Sequence, residues 1–313
     1  MLAYLARRLL TALAVIWAAA TLAFLALRVL PGDAIAGQLA QGGASATEIA
    51  ARRAALGLDA PLAEQYLAYM AGLVRGDLGV SLLNRQPVTQ AIAQQLPSTA
   101  SLAVAALVVA LVIGLALGFT GAAARPAWLR RLSSGLATLA LAMPVYWTGT
   151  LAIWLFSVQL GWFPATGAGD FRHLVLPAAV LGFSVAGSIA RVTQAGLVEA
   201  RDQAFVQYAR AKGLRDIHVW GRHILRVGLL PIIAVVALQI GFLLSGTVIT
   251  EAIFARGGLG GLLLRATLDR DLPVVQGVVV LAALIYNVVN ALADALYALA
   301  DPRVHLEAPP EAA

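Results

Sequence analysis

Long stretches without Asp, Glu, Lys or Arg alternate with charged stretches along this chain, and the alternation predicts helices that cross a membrane. A helix that spans a bilayer needs about 20 mostly apolar residues. The uncharged stretches long enough for this are 9–27, 86–124, 132–169, 173–190, 227–250 and 272–293. Polar residues open the second stretch and a loop pattern closes the third, so these spans are placed at 99–123 and 134–159, with Pro144 kinking the latter. The pattern predicts an all-α integral membrane protein with six transmembrane helices.

The overall composition agrees with a membrane protein and excludes two other classes. Only 12% of the residues are charged and 60% are hydrophobic, whereas a soluble globular protein has about 25% charged residues. So few charges do not cover the surface of a soluble domain of this length. Intrinsic disorder is excluded as well, because it requires low hydrophobicity.

The distribution of Arg and Lys predicts the orientation in the membrane. With the N-terminus on the cytoplasmic side, the segments inside have more than twice the Arg and Lys density of those outside. Cytoplasmic loops carry this excess in membrane proteins, so both termini are expected inside (N-in, C-in). The alternative for residues 1–36 is a cleaved signal peptide with a small-residue site at 34–36. The uncharged run 9–27 exceeds the usual apolar region of about 7–15 residues, which favours a span.

Lys212 is the only lysine of the chain, and its neighbours exclude a built-in ATPase of the P-loop type. That motif needs Gly-Lys followed by Ser or Thr, but Lys212 lies between Ala211 and Gly213. Any ATP hydrolysis that drives this protein is therefore expected on a partner subunit. The chain has no cysteine, and its histidines lack metal-ligand spacing. We expect no catalytic residues, no metal site and no cofactor.

The longest outer segment, 31–98, contains two predicted helices. Pro31 and Gly32 are expected to end the first span at the membrane edge. An Ala-rich stretch over 46–56 predicts a short surface helix, and apolar residues at helical spacing over 61–73 predict a second. The segment is either a small folded cap or part of a docking surface for a soluble partner, and its sequence leaves both open.

The inner segment 196–227 is the most charged stretch of the chain. Residues 199–212 predict one helix, because strong helix formers dominate there and Gly213 follows as a typical helix stop. Residues 214–222 predict a second, short helix. A glycine between two helices at this place indicates a sharp turn rather than a continuous rod.

The short inner helix has an apolar face. Ile217, Trp220 and Ile224 recur at spacings of three and four residues, which places them on one side. Such a helix can lie on the lipid surface, pack on its own spans or dock into a soluble partner. The spacing alone leaves these three roles open.

Polar side chains within the predicted spans are candidates for a translocation path. They are Gln239, Ser245, Thr247, Asn287 and Asn290. Polar residues in membrane bundles more often hydrogen-bond between helices than contact a substrate, so both roles stay open. A proton-driven carrier typically needs a relay of buried carboxylates, and none is evident in the span interiors.

The inner segment also contains a sequence motif that is similar to one in a known protein family. Residues 205–214 read Phe-Val-Gln-Tyr-Ala-Arg-Ala-Lys-Gly-Leu, followed by His-Ile-Leu-Arg at 223–226 and Leu-Pro at 230–231. This order resembles the cytoplasmic signature loop of bacterial ABC-importer permeases, in the form of the peptide/nickel (dipeptide/oligopeptide) branch. Further stretches similar to that branch lie at 30–33, 57–62, 76–81, 96–99, 143–147, 160–164, 270–277 and 299–303. The resemblance therefore covers the chain from end to end.

Two stretches depart from the pattern of that branch. Residues 207–209 read Gln-Tyr-Ala where the older consensus has Glu-Ala-Ala, so one charged contact is missing. Residues 256–261 read Arg-Gly-Gly-Leu-Gly-Gly where Pro-Gly is expected ahead of the next glycine. The extra glycines predict a more flexible loop there.

The resemblance implies a type I ABC importer permease, with a five-helix core, an additional N-terminal helix and a cytoplasmic coupling helix over 214–223. It divides the chain into an N-terminal helix with an extracytoplasmic loop (1–98), a permease domain (99–298) and a cytoplasmic tail (299–313). The residues that it assigns to coupling with an ATPase are Ala209, Arg210, Ala211, Lys212, Gly213, Leu214, Ile217, Trp220 and His223.

The resemblance also implies a set of partners. These are a second homologous permease, two ABC ATPase subunits, an extracytoplasmic substrate-binding protein and the lipid membrane, with no role for nucleic acid. The expected location is the bacterial inner membrane, crossed several times. A di- or oligopeptide is the expected substrate, and nickel or another small solute is the alternative within the branch. A self-contained secondary transporter or channel is the alternative from another class.

Overall fold

The computed structural model describes residues 2–29, 45–55, 57 and 59–300, and this part of the chain is almost entirely helical. Its one β-bridge pairs Val80 with Pro87. Some of the predicted features lie outside the described residues. They are the helix stop at 31–32, the alternative cleavage site at 34–36 and the tail from 301 onwards.

The described helices have the following bounds. In chain order they are α1 (Leu2–Val29), α2 (Ala46–Ala55), α3 (Leu62–Val74), α4 (Val88–Ala123), α5 (Ala127–Ala142), α6 (Val145–Ala152), α7 (Arg172–Arg201), α8 (Ala204–Ala211), α9 (Asp216–His218), α10 (Leu225–Gly228), α11 (Leu230–Ile253), α12 (Leu259–Leu268) and α13 (Leu272–Ala300). Two π-helical segments extend this set, Ile153–Gln159 after α6 and Val219–Ile224 between α9 and α10. We call the continuous helical stretch Asp216–Gly228 the loop helix.

The long apolar helices coincide with the predicted spans. Four helices, α1, α4, α7 and α13, are long and apolar enough to cross a membrane, and two bent pairs bring the number to six if each pair is one span. One pair joins α5 to α6 with a bend of 106°, and the other joins the loop helix to α11 with a bend of 47°. Four of the six predicted spans are therefore single long helices, and the other two, 134–159 and 227–250, correspond to the bent pairs.

Pro144 has a larger effect than the predicted kink. Met143 and Pro144 both leave the helical region, with ψ angles of 123° and 137°. Proline clashes with a helical residue before it and removes a backbone donor. The span predicted at 134–159 is therefore broken into two separate helices at this point.

The predicted helix over 199–212 is wrong. The span helix α7 continues to Arg201, and a new helix, α8, starts at Ala204. Between them Gln203 has an extended backbone, with ψ 147°. The sequence has no Gly or Pro at this break, so the break follows from packing, because it turns α8 to bury Val206.

The described residues form two compact units. One comprises residues 2–4, 98–260 and 286–300, and the other residues 5–29, 45–55, 57, 59–97 and 261–285. In the first unit α7 is the central helix, and it packs against α5, α6, α10 and α11. Its core residues lie on α4, α7 and α11 and include Leu102, Ala106, Leu181, Val185, Ile189 and Leu243. The predicted division at residue 98 stays a prediction.

In the second unit, the first span packs against the outer helix α3. Phe24 is fully buried, and its ring lies 5.2 Å from that of Tyr66 and 5.7 Å from that of Tyr69. The Thr21 hydroxyl lies 2.8 Å from the Tyr66 hydroxyl, within hydrogen-bond distance. These contacts show that α3 packs onto α1, and the choice between a cap and a docking surface for this segment stays open.

Helix α2 begins with a capping box, a pattern that the sequence contains as Ser-x-x-Glu. The Glu48 backbone N–H donates to the Ser45 hydroxyl at 3.3 Å, and the Ser45 backbone N–H donates to the Glu48 carboxylate at 2.7 Å. The hydrogen bonds that the Ser45 backbone N–H and, at 2.9 Å, the Ser45 hydroxyl donate to the Glu48 carboxylate lower the pKa of this carboxyl below its ordinary value. Two of the free donors at the helix start are thereby satisfied.

Candidate functional site

The turn after α8 has the geometry that the sequence predicted for it. Gly213 has a φ of 77°, in the left-handed region. Its N–H donates to the carbonyl of Arg210 at 2.9 Å, and the N–H of Leu214 donates to the carbonyl of Ala209 at 3.3 Å. This pair of hydrogen bonds is the Schellman motif of helix ends. The predicted helix stop at Gly213 is therefore confirmed.

The loop helix is fixed to the central helix α7. Gly196 of α7 and Gly228 of the loop helix are in backbone contact, since a Cβ on Gly196 would lie 2.4 Å from the Gly228 carbonyl oxygen. A buried apolar cluster continues this contact. Its members are Ala122, Leu197, Ala200, Val206, Ala209, Val219 and Ile224. The loop helix is therefore packed directly against a span.

The predicted apolar face of the loop helix is divided by its fold. Ile217 is 76% exposed, whereas Ile224 is completely buried. Trp220 is half-buried, and its ring meets the Phe119 ring edge-on at 5.5 Å. The expectation of one shared face is wrong because this segment is π-helical, with hydrogen bonds from residue i to i+5. A π-helix has more residues per turn than an α-helix, so residues three and four apart no longer share a face. Of these three side chains, Ile217 alone projects fully from the loop helix.

The remaining predicted coupling residues surround the turn. Arg210, Ala211, Lys212 and Leu214 are exposed, Ala209 is buried, and His223 is half-buried. The Lys212 ammonium lies 4.6 Å from the centre of the Tyr208 ring, a cation–π contact, and the His223 ring lies 6.4 Å from that of Phe205. The structure thus brings most of the predicted set together on one exposed surface; their contact with an ATPase stays a prediction.

Charges on the loop helix are linked to neighbouring segments. The Asp216 carboxylate lies 3.8 Å from the Arg210 guanidinium and 3.9 Å from that of Arg125. All three side chains are well exposed, so each pair contributes little to stability. Their arrangement nonetheless orients the start of the loop helix against the turn between α4 and α5.

The candidate path residues are less clearly grouped. Gln239 and Asn287 are half-buried, and Thr247 is buried at 1% exposure. The Asn290 amide donates to the carbonyl four residues earlier in its own helix at 2.9 Å. The side chain of Ser245 lies outside the described residues. A role of this set in a path stays a prediction, and Thr247 does not reach the surface of this chain.

Sequence reasoning missed a buried carboxylate at the end of α11. Glu251 is 1% exposed, and its Oε1 accepts a hydrogen bond from the Thr99 hydroxyl at 2.6 Å. The same Thr99 hydroxyl accepts the N–H of Leu259 at 2.8 Å. Gly258 lies against the carboxylate, since a Cβ there would be 2.1 Å from Oε1. The signal in the sequence was a charge that ends an apolar run shortly before a glycine-rich segment.

This cluster gives the glycine-rich segment a different role from the predicted one. Gly260 also lies close to the Glu251 carboxylate, since a Cβ added at Gly260 would be 3.0 Å from Oε2 of Glu251. The Ser98 hydroxyl donates to the carbonyl of Gly257. The glycines therefore allow a close approach of backbone to a buried carboxylate, whereas flexibility was expected from the sequence.

Two family models match nearly the whole chain. Residues 110–306 match the binding-protein-dependent transport system inner membrane component, and residues 1–103 match the N-terminal part of the same kind of membrane component. A putative peptide transport system permease protein of Brucella suis is 39% identical over 98% of this chain and 100% of its own length. The glutathione transport system permease protein GsiC of Escherichia coli K12 is 37% identical over 97% of this chain and 99% of its own.

Solved structures share the fold at low sequence identity. An inward-facing MetNI methionine ABC transporter aligns with a TM-score of 0.58 at 18% identity, over 67% of this chain and 95% of that one. An amino acid ABC transporter aligns with a TM-score of 0.51 at 16% identity, over 69% of this chain and 95% of the other. The helical arrangement described above is therefore that of importer permeases.

Proposed function

Since this chain belongs to the family of binding-protein-dependent transport system inner membrane components, we propose that it forms a translocation path for small peptides together with a second, homologous permease chain. The chain is a multi-pass membrane protein and a permease subunit of such an importer. ATPase and substrate-binding subunits are its partners in this family. The pairing with a second permease and the peptide substrate are the parts that we propose.

The loop helix is the proposed site of coupling to the ATPase subunits. Two features of the loop helix support this proposal. Gly228 is in backbone contact with the central span, and Ile217 projects from the loop helix with 76% of its surface exposed. A short element that is anchored on one side and carries an exposed apolar side chain on the other can transmit a rearrangement between subunits. The absence of a P-loop around Lys212 supports ATP hydrolysis on separate chains.

The proposed substrate is a di- or oligopeptide. The Brucella suis relative is named for peptide transport, and the Escherichia coli relative is named for the transport of glutathione. Both cover this chain almost completely at 37–39% identity. In such a system the separate binding protein selects the solute, so this chain supplies a path that suits a peptide rather than a pocket that selects one.

The proposed orientation places the loop helix in the cytoplasm of a bacterium and the chain in the inner membrane. The Arg and Lys excess at 124–132 and 196–227 supports this. Helices α2 and α3 then lie on the outer side. There, α3 presents the exposed side chain of Val74 (90%) for contact with the binding protein.

A transport assay tests the proposed function. Cells or proteoliposomes that contain both permeases, the ATPases and the binding protein are expected to take up a labelled dipeptide with ATP, and Ile217→Asp is expected to abolish uptake while membrane insertion persists. Ile217→Leu, which keeps an apolar side chain of the same size at this exposed position, is the matched control. Uptake of nickel but not of peptides would contradict the substrate, and normal uptake by Ile217→Asp would contradict the coupling site.

A further inference from the structure

A groove next to the loop helix is strongly basic. It has a volume of about 710 Å³ and lies between the α4–α5 turn, the end of α7, α8 and the start of the loop helix. Its charged lining consists of Arg125, Arg130, Arg131, Arg201, Arg210 and Asp216. With five guanidinium groups and one carboxylate, the groove attracts anions.

The positive charge of the groove is only partly neutralised by the protein. Asp216 is shared between two arginines at 3.8 and 3.9 Å, and Arg201 is paired with Asp202 at 3.3 Å. Arg130 donates to the backbone carbonyls of Ala124 and Arg125 at 3.1 and 2.9 Å, which are neutral acceptors. Arg131 has no ion pair or hydrogen bond within residues 2–29, 45–55, 57 and 59–300. At least one guanidinium is therefore available for a bound anion.

An apolar strip begins beside the groove and runs along α5. Its side chains are large and exposed: Trp128 (66%), Leu132 (50%), Leu136 (37%) and Leu139 (47%). Arg131 is three residues from Trp128 and three from Ser134, which lines the groove. Residues three apart on a helix are neighbours, so Arg131 lies between the basic groove and the apolar strip.

We propose that this groove binds the phosphate of an anionic phospholipid, with an acyl chain along the strip on α5. Guanidinium groups match phosphate oxygens in charge and geometry. Basic pockets between transmembrane helices bind lipid headgroups, and Trp128 has the side chain that is enriched at the membrane–water interface. A soluble acidic partner would use the arginines alone, because the leucine strip continues into the predicted span and away from water.

The site would connect the lipid to the loop helix. Arg210 and Asp216 lie on the two sides of the Gly213 turn and both line the groove. A bound phosphate competes with the Asp216 carboxylate for Arg125 and Arg210. A phosphate bound to both arginines therefore links α8 to the α4–α5 turn and takes the place of the Asp216 carboxylate of the loop helix.

Lipid retention by the assembled transporter tests this proposal. Native mass spectrometry of the detergent-purified complex, titrated with palmitoyl-oleoyl phosphatidylglycerol, is expected to show tighter binding than with the phosphatidylcholine of the same chains. Arg125→Gln and Arg131→Gln are each expected to weaken phosphatidylglycerol binding about fivefold. Asp216→Asn is expected to strengthen it, because the competing carboxylate is gone. Arg222→Gln, an exposed arginine of the loop helix outside the groove, is the control and is expected to have no effect on retention.

Several outcomes would overturn the proposal. Equal retention of the two lipids, or unchanged retention in Arg131→Gln, rules out the basic site. Displacement of the lipid by inorganic phosphate, or unchanged binding in Trp128→Ala, rules out the acyl-chain strip and leaves only an ion site. Loss of ATPase co-purification in Arg131→Gln with normal lipid retention assigns the groove to an acidic protein partner instead. Peptide uptake is scored separately, so a failure of the proposed function is distinguished from a failure of the lipid site.

Discussion

Replacement of Gly213 by alanine is the perturbation whose cost is simplest to derive. The backbone at Gly213 has a φ of 77°, and nothing lies within 4 Å of the place that a Cβ would occupy. The substitution therefore creates no clash, and its cost is that of a left-handed backbone for a residue with a Cβ. That cost is roughly 1–2 kcal/mol.

We expect this free-energy cost to weaken the binding of the loop helix to the ATPase. The Schellman turn sets how α8 meets the loop helix, so we expect the penalty to fall on the conformation that docks. Because 1.4 kcal/mol is a factor of ten in an equilibrium constant, 1–2 kcal/mol weakens binding about 5- to 30-fold. ATP-driven uptake is expected to fall in the same direction.

The assay is a binding titration of purified ATPase against the immobilised permease pair. Gly213→Asn is a control that keeps most of the affinity, since asparagine tolerates the left-handed region. Gly221→Ala is a second control: Gly221 lies in the helical part of the loop helix and also has nothing within 4 Å of an added Cβ. Equal affinity of Gly213→Ala and the wild type, or equal losses in Gly213→Ala and Gly221→Ala, would refute this reasoning.

Two further predictions concern the other parts of the molecule. Gly258→Ala places a Cβ 2.1 Å from the Glu251 carboxylate and is expected to destabilise the permease by about 1–3 kcal/mol. Thermal unfolding measures this, with Gly135→Ala, where a Cβ meets open space, as the unaffected control. Since its folded pKa is lowered, Glu48 stabilises α2 fully above its ordinary pKa and loses this effect as the pH falls through the lowered value. Proteolysis near α2 should therefore become faster in the wild type as the pH falls. In Ser45→Ala it should be faster than in the wild type before acidification, because the capping box is absent. A wild-type cleavage rate that does not change with pH would contradict this prediction.

The spans could be predicted from the sequence because the lipid allows little choice. A helix core in the bilayer excludes charge, so the gaps between Asp, Glu, Lys and Arg mark the spans directly. Strong local signals also succeeded. Proline at 144 breaks a helix, although Pro97 and Pro177 lie inside α4 and α7, and glycine at 213 allows a left-handed turn.

Features that depend on packing could not be predicted. The break between α7 and α8 has no local signal, since it follows from the burial of Val206 against the rest of its unit. The division of the apolar face at Ile217 and Ile224 follows from a π-helical segment that the residue spacing does not indicate. Glu251 marked the end of a span in the sequence, but its burial depends on Thr99, 152 residues away along the chain.

The central claim is that the loop helix contacts an ATPase subunit, and a single labelled position tests it most directly. The chain has no cysteine, so Ile217→Cys places a unique thiol on the exposed tip of the loop helix. Coupled to a benzophenone maleimide and irradiated in the assembled transporter, it is predicted to form an adduct with the ATPase subunit. Val74→Cys, on the exposed surface of α3, is predicted to form none with that subunit. An ATPase adduct from position 74 and none from position 217 would contradict the account.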